Sequence, residues 1–309
     1  MRRSVGESGA KWQCSGRVGS GVRCTGLGCA VGGCISRPER QPGAVRGTEL
    51  SGTEPGGTEM GEGLPAALRV PPGKVVCVGL NYRDHVAEGA GREAPEWPLL
   101  FAKFANAVIA DGEAIVRPEG THALDLEVEL GVVIGRRARR VAETDAMNHV
   151  AGYVVVNDVS ARDWQGNKAA LAEGQKGDGQ WLRAKGSDTF LPVGPVFVTA
   201  DELDPAAGLR LRSWRIPGPG RPGAGEPQLM QDGSTLDLIF GIPELIAFIS
   251  RHITLEPGDL IATGTPSGVG VFRDPPVFLE PGDRVRCEIE GIGSVENPIV
   301  NWTDDPREA

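Results

Sequence analysis

The chain has 309 residues, 40% of them hydrophobic and 24% charged, the balance of an ordinary globular protein with one large domain or two modest ones. Its 45 Gly and 24 Pro, set against 6 Trp, 2 Tyr and 8 Phe, favour strands and loops and argue against a helical bundle or coiled coil. A formal net charge of −9 disfavours nucleic acid as a partner. No apolar run approaches the roughly 18 residues of a membrane span, and without a signal-peptide apolar segment the expected location is cytoplasmic.

Charge is unevenly spread. Residues 1–40 hold seven Lys or Arg and two Asp or Glu, so the remainder carries −14. The first 60 residues also hold 14 glycines and Cys14, Cys24, Cys29 and Cys34, with no period of 2 or 3.6. Such a segment buries too little surface to offset its ordering entropy, so residues 1–60 are expected to be a disordered tail. Its cysteines lack a CxxC spacing and a nearby His, which speaks against zinc, and it is too rich in Gly and Cys for a transit peptide. Residues 61–309 then form a single domain with a short lead-in.

Within that domain, residues 74–79 read as a buried strand, and residues 81–88 as one or two helical turns ended by Gly89 and Gly91. Residues 98–103 are a further apolar run. Residues 125–135 begin in strict alternation and end as a buried strand. Residues 142–149 are predicted helical, and residues 152–157 are a continuous apolar strand after which Ser160 caps a helix. Residues 194–199 and 209–214 read as strands, and the Pro/Gly-rich residues 217–227 as the loop of a hairpin. Ser234 or Thr235 is predicted to cap a helix running through residues 238–253 and interrupted by Pro243. Strands over 259–263, 284–290 and 297–300 complete the inventory. Cys77 and Cys287 fall in apolar strand patterns and read as buried thiols. Strands outnumber helices, so the expected fold class is mixed and mainly β, with a few short helices.

Chemistry concentrates in a few places. Glu127 and Glu129 are two apart on a strand and so share a face, with Leu126, Val128 and Leu130 on the other. If that face is buried, a cation relieves their repulsion, and oxygen-only ligation selects Mg²⁺, Mn²⁺ or Ca²⁺. The same alternation also fits a solvated edge strand. Asp158, at the end of a buried strand, supplies a third carboxylate, or else an N-cap. Three carboxylates leave open positions on an octahedral ion for substrate oxygens. His85 and Glu88 share a helix face at i, i+3, as a general base with its orienting acid or as a surface pair. Lys185 follows Asp158 by 27 residues and is of the type that stabilises an enolate. Residues 263–270, Thr-Gly-Thr-Pro-Ser-Gly-Val-Gly, form a turn offering N–H groups to an anion, without the ending of a P-loop.

Five blocks, in order, carry a resemblance: Val78-Gly-Leu-Asn-Tyr-Arg-Asp-His85, Asp125-Leu-Glu-Val-Glu-Leu130, Asn157-Asp-Val-Ser-Ala-Arg-Asp163, Lys185-Gly-Ser-Asp-Thr-Phe190 and Gly264-Thr-Pro-Ser-Gly-Val269. Together they resemble the carboxy-terminal catalytic domain of the fumarylacetoacetate hydrolase superfamily over about residues 75–300. The resemblance implies a β-roll or sandwich, assembled as a homodimer. It implies Glu127, Glu129 and Asp158 as ligands of a divalent cation, Mg²⁺ foremost. It implies His85 and Glu88 as the water-activating pair, Lys185 as the active-site lysine, and Thr265, Gln165 and Lys103 beside the substrate. Two departures stand out: Phe104 follows Lys103 where the family usually has Pro, and residues 168–179 lengthen the span between Asp158 and Lys185.

The reaction so implied cleaves a C–C bond in a 2,4-dioxo acid of the acylpyruvate type, giving pyruvate and a carboxylic acid. Oxaloacetate decarboxylation, isomerisation of a 2-hydroxy-dienoate and dehydration of a sugar acid use the same metal–enolate chemistry. A metal-binding member without activity is the alternative of another class, and the intact set of candidate catalytic residues argues against it.

Overall fold

A computed structural model of the chain describes Leu68, residues 72–89 and residues 93–308. The tail expected over residues 1–60 lies outside the described residues.

The first strand, Val75–Gly79 (β1), is the apolar run expected there, and it is buried because it lies inside a sheet. A six-residue helix, Arg83–Glu88 (α1), follows, then Leu99–Lys103 (β2), which returns antiparallel to β1. Three short strands come next: Val108–Ile109 (β3), Ile115–Arg117 (β4) and Leu124–Asp125 (β5). Val128–Ile134 (β6) and Val150–Asn157 (β7) are antiparallel partners with almost entirely buried side chains, as their continuous apolar sequences require. Ser160–Ala161 (β8), Arg162–Gln165 (α2), Trp181–Gly186 (α3), Leu191–Pro192 (β9) and Val198–Thr199 (β10) make up the middle of the chain. Arg210–Ile216 (β11) and Gln228–Ser234 (β12) form the hairpin around the Pro/Gly-rich loop. The helix Ile242–His252 (α4) and strands Leu260–Ala262 (β13), Arg284–Ile289 (β14) and Gly293–Asn301 (β15) complete the chain.

Two sheets dominate. One runs β10-β7-β6-β13-β1-β2, with only β1 and β13 parallel; the other runs β12-β11-β14-β15-β4, with only β15 and β4 parallel. The strands β6 and β7 pack on β11, β14 and β15. Leu130 and Val132 of the first sheet and Leu211, Val285, Cys287 and Val295 of the second lie in one buried apolar cluster. The fold is mainly β, as its composition and pattern implied. Among the described residues, no helix is long and apolar enough to cross a membrane.

Residues 143–149 are helical as expected, in 3₁₀ form, with Ala146 alone among them buried. Three local expectations are corrected. Ser160 does not cap a helix: it lies in β8, and its hydroxyl donates to the Asp158 carbonyl at 3.0 Å. Pro243 does not interrupt α4 but stands in its first turn, where a missing N–H costs nothing. Ser234 accepts from the Leu236 N–H and so caps only the short 3₁₀ turn Thr235–Asp237. Helix α4 itself begins after Gly241 and buries Ile242, Leu245, Ile246 and Ile249 at helical spacing.

Candidate active site

The β6–β7 pairing brings the acids together. Val128 pairs with Asn157, so Asp158 emerges beside Glu127, and the Asp158 N–H donates to the Glu127 carbonyl at 2.9 Å. The Asn157 side chain accepts from the Glu127 N–H at 3.0 Å. One carboxylate oxygen each from Glu127, Glu129 and Asp158 lies within 4.8 Å of the other two, and all three residues are buried. The solvated-edge alternative for Glu127 and Glu129 therefore falls.

Three cations share this cluster unequally. Lys185 Nζ, on α3, donates to Glu127 Oε2 at 2.7 Å and to Asp158 Oδ2 at 2.8 Å. Arg162 pairs with Asp125 through Nε at 2.9 Å and with Glu127 Oε1 through Nη2 at 2.6 Å. Lys103 Nζ lies 2.7 Å from Asp158 Oδ1 and donates to the carbonyls of Val159, Phe190 and Lys185. Burial alone raises the pKa of Glu127, but Lys185 and Arg162 outweigh it and hold the group below the usual carboxylate range. Lys185 is raised, because Asp158 and Glu127 overcome its desolvation, whereas burial leaves Lys103 lowered.

Glu129 differs. Among the described residues no Lys, Arg or His lies within ion-pair distance of it, and the Gly264 N–H donates to its Oε2 at 2.8 Å. Burial, then the charges of Asp158 and Glu127, push its pKa well above the usual carboxylate range. An all-oxygen cluster with one uncompensated carboxylate fits a hard divalent cation. The charge count agrees: with every group ionised, as a bound cation requires of its ligands, Asp125, Glu127, Glu129 and Asp158 against Lys103, Lys185 and Arg162 leave one negative charge, which a divalent ion would turn into one positive charge open to an anion.

These groups meet at a cavity of about 250 Å³. Glu127, Glu129, Lys185, His85, Thr265 and Gln165 are on its wall. Leu99, Phe101, Trp181 and Phe272 give it an apolar side. His85 is buried, and its Nδ1 lies 2.6 Å from Glu88 Oε1, which leaves Nε2 as the other ring nitrogen. Glu88 in turn accepts from the Gly268 N–H through Oε2 at 2.8 Å. Thr265 donates its hydroxyl proton to the Val128 carbonyl at 2.9 Å. Gln165 accepts from Arg162 Nη1 at 3.2 Å. Asp158, Glu88 and Lys103 stand behind the wall. Lys103 is not at the cavity as expected of a substrate contact: its ammonium is occupied by Asp158 and three carbonyls, and it anchors the residues that carry the site.

Sequence reading missed Arg162 and Asp125 as individual residues. Asp125 accepts from the Gly270 and Val271 N–H groups at 2.8 and 3.1 Å as well as from Arg162, and so ties the glycine-rich loop to the acidic strand. A signal was present, because Arg162 follows the same apolar strand that singled out Asp158. The buried amide of Gln231 was missed as well, with no local signal to find it.

Residues 74–300 match the family model described as Fumarylacetoacetate (FAA) hydrolase C-terminal. The chain is 46% identical over 229 residues to the mitochondrial oxaloacetate tautomerase FAHD2B of Bos taurus, covering 74% of this chain and 67% of that protein. Among solved structures, 5-carboxymethyl-2-hydroxymuconate delta-isomerase from Mycobacterium smegmatis is 40% identical with a TM-score of 0.60, covering 75% of this chain and 80% of the other. Fumarylacetoacetate hydrolase from Exiguobacterium antarcticum is 36% identical with a TM-score of 0.62, covering 75% and 77%.

Proposed function

The chain belongs to the fumarylacetoacetate hydrolase family of enzymes, and on that premise we propose that it acts on a short 2-oxo acid through its enolate, with keto–enol interconversion of oxaloacetate as the first activity. The observation that carries this reading is the convergence on one cavity of Glu127, Glu129, Lys185 and His85, with Asp158 grouped with the two Glu carboxylates and Glu88 holding His85 from behind the wall. The similarity to proteins named oxaloacetate tautomerase favours this substrate over the acylpyruvate expected from sequence.

Glu127, Glu129 and Asp158 would hold a divalent cation, Mg²⁺ foremost, which when bound polarises the substrate's carboxylate and 2-oxo oxygens. His85, with Nδ1 held by Glu88, presents Nε2 as the base for a C3 proton. Two of the three Lys185 protons are committed to Glu127 and Asp158, which leaves one for the oxygen where charge develops. A proton leaves C3 and a proton arrives on the 2-oxygen, so the reaction balances without a co-reactant. Gln165 and Thr265 border the substrate.

A second reading, hydrolysis of an acylpyruvate, is favoured by the apolar side formed by Leu99, Phe101, Trp181 and Phe272, which suits an acyl tail. There His85 takes a proton from water, the hydroxyl bonds to the acyl carbon, the C3–C4 bond breaks, and the proton ends on C3. We further propose that the chain works as a homodimer, in keeping with the exposed Trp97, Leu99, Phe104 and Leu182.

The deciding assay follows the ultraviolet absorbance of enol-oxaloacetate with the purified full chain, beside a panel of acylpyruvates, with pyruvate and CO₂ measured. Accelerated loss of enol without CO₂, abolished by EDTA and restored by Mg²⁺ or Mn²⁺, is the expected result. Pyruvate and a stoichiometric acid from acylpyruvates alone would install the second reading. Inertness with both, metal present, would sink the enolate proposal.

A further inference from the structure

Gln231 lies on β12, in the second sheet, yet its amide reaches the site in the first. It is completely buried, and all of its hydrogen-bonding capacity is turned inward. Oε1 accepts from the Val128 N–H at 3.0 Å and from Ser213 Oγ at 2.8 Å. Nε2 donates to Thr265 Oγ1 at 2.6 Å and to the Pro266 carbonyl at 2.8 Å. Val128 is the residue between Glu127 and Glu129. Its N–H is held by Gln231 and its carbonyl by the Thr265 hydroxyl, itself held by Gln231. One amide therefore fixes the peptide that joins the two acidic residues and the loop that borders the cavity.

The packing makes this grip possible. A Cβ at Gly268 would run into the Met230 carbonyl, and one at Gly233 into the Pro266 ring. Gly268 also has φ +103, a conformation that favours glycine. The strand and the loop thus approach more closely than side chains at those positions would permit. The Thr265 hydroxyl, having given its proton to Val128, is a brace between loop and strand and cannot donate that proton to a substrate.

We propose that Gln231 is a positioning residue that sets the separation of Glu127 from Glu129 and the distance of the Thr265 loop from both. The proposal rests on the metal reading above. Partners that orient ligating groups commonly cost about 10- to 100-fold in metal affinity when removed. Gln231→Met keeps the length of the side chain and removes both of its polar atoms. Thr265→Val severs the same clamp from the other side and leaves Gln231 its bonds to Val128, Ser213 and Pro266.

The test measures Mn²⁺ binding calorimetrically in the wild-type chain, both single variants and the double variant, on protein shown to be folded by circular dichroism. Each single variant is expected to bind Mn²⁺ about tenfold more weakly, and the double variant no more weakly than Gln231→Met alone, because the two residues act as one unit. Wild-type Mn²⁺ affinity in the folded Gln231→Met chain overturns the proposal. Additive losses overturn the shared clamp. If Gln231→Met does not fold, Thr265→Val decides: undiminished Mn²⁺ binding there overturns the proposal. Absence of Mn²⁺ binding in the wild-type chain is a different result, which removes the metal reading underneath.

Discussion

His85 can move a proton in the proposed reaction only while its ring is held still, and Glu88 does the holding. The pair is buried enough to keep the imidazole from turning into solvent, and Nδ1 sits 2.6 Å from Oε1. His85→Ala is expected to lower kcat by about 10²–10⁴-fold, the range of a lost general base, while Mn²⁺ binding by the three carboxylates stays near wild type. Glu88→Gln keeps the shape and loses the charge, so its loss in kcat should be smaller. Stopped-flow turnover beside calorimetric Mn²⁺ binding checks both, and an unchanged kcat in His85→Ala would remove His85 from the chemistry. These residues were legible because their types are rare and their spacings informative: the chain has four His, and of the two with a carboxylate at i+3 only His85 falls in a run that reads as helical, where that spacing shares a face. Gln231 was not legible. Leu-Met-Gln-Asp-Gly gives no local sign that a glutamine two strands from a sheet centre will be buried against another sheet. Lys103 was legible as a lysine in an apolar run, but its partners, Asp158 and three carbonyls, are brought near only by the tertiary structure.

At the scale of elements, α1 is too short to stand alone. Six residues make too few internal hydrogen bonds to offset nucleation, so tertiary anchors must hold it. Two of them reach the glycine-rich loop: Asp84 accepts from the Ser267 N–H at 3.1 Å and from its hydroxyl at 2.8 Å, and Glu88 accepts from the Gly268 N–H. Asp84→Ala removes one anchor and leaves His85 its partner. The expected outcome is faster amide exchange across residues 83–88, a higher KM for the 2-oxo acid and a loss of global stability of only about 1 kcal/mol, as for one hydrogen-bonding group at a half-exposed site. Exchange as slow as in the wild type would show that the core contact of Val86 is anchor enough. The same scale explains what could be read in advance. Strands β1, β6 and β7 announce themselves because strands buried on both faces need continuous apolar sequence. Strands of two residues such as β3, β5 and β8 have no period to read, since they exist only where a distant segment pairs with them. The break between β5 and β6 falls at Leu126 and Glu127, within a run that reads as one strand, because the Asn157 side chain takes the Glu127 N–H in place of a ladder bond.

Over the whole molecule, the two sheets do different work: one holds Glu129 on β6, with Glu127 just before β6 and Asp158 just after β7, and the other packs on β6 and β7 through β11, β14 and β15 and reaches Val128 through Gln231 of β12. That division places polar groups deep in the structure and ties stability to pH. Tyr153 is completely buried on β7, and burial pushes its phenol up to about 12. Burial likewise raises Tyr82, with the charge of Glu129 adding to it. An unfolded tyrosine ionises near pH 10. Between there and about 12 the unfolded chain has lost the proton that folded Tyr153 still holds, so the unfolded state binds fewer protons and stability falls as pH rises. The contribution is fully present below pH ~10 and is lost as pH climbs through the folded value; two units correspond to at most about 2.7 kcal/mol, and partial screening brings that to about 1–2 kcal/mol. Urea unfolding at a series of pH values from neutrality to strong alkali should show this decline. Tyr153→Phe should reduce its slope while changing stability at neutral pH by less than about 1 kcal/mol, because the hydroxyl has no hydrogen-bond partner among the described residues. Tyr82 then remains to supply the rest of the slope. If Tyr153→Phe declined as steeply as the wild type, the alkaline loss would have to come from Tyr82 and from the buried thiols of Cys77 and Cys287, which burial also raises; a Cys77→Ala, Cys287→Ala chain would then separate the two sources.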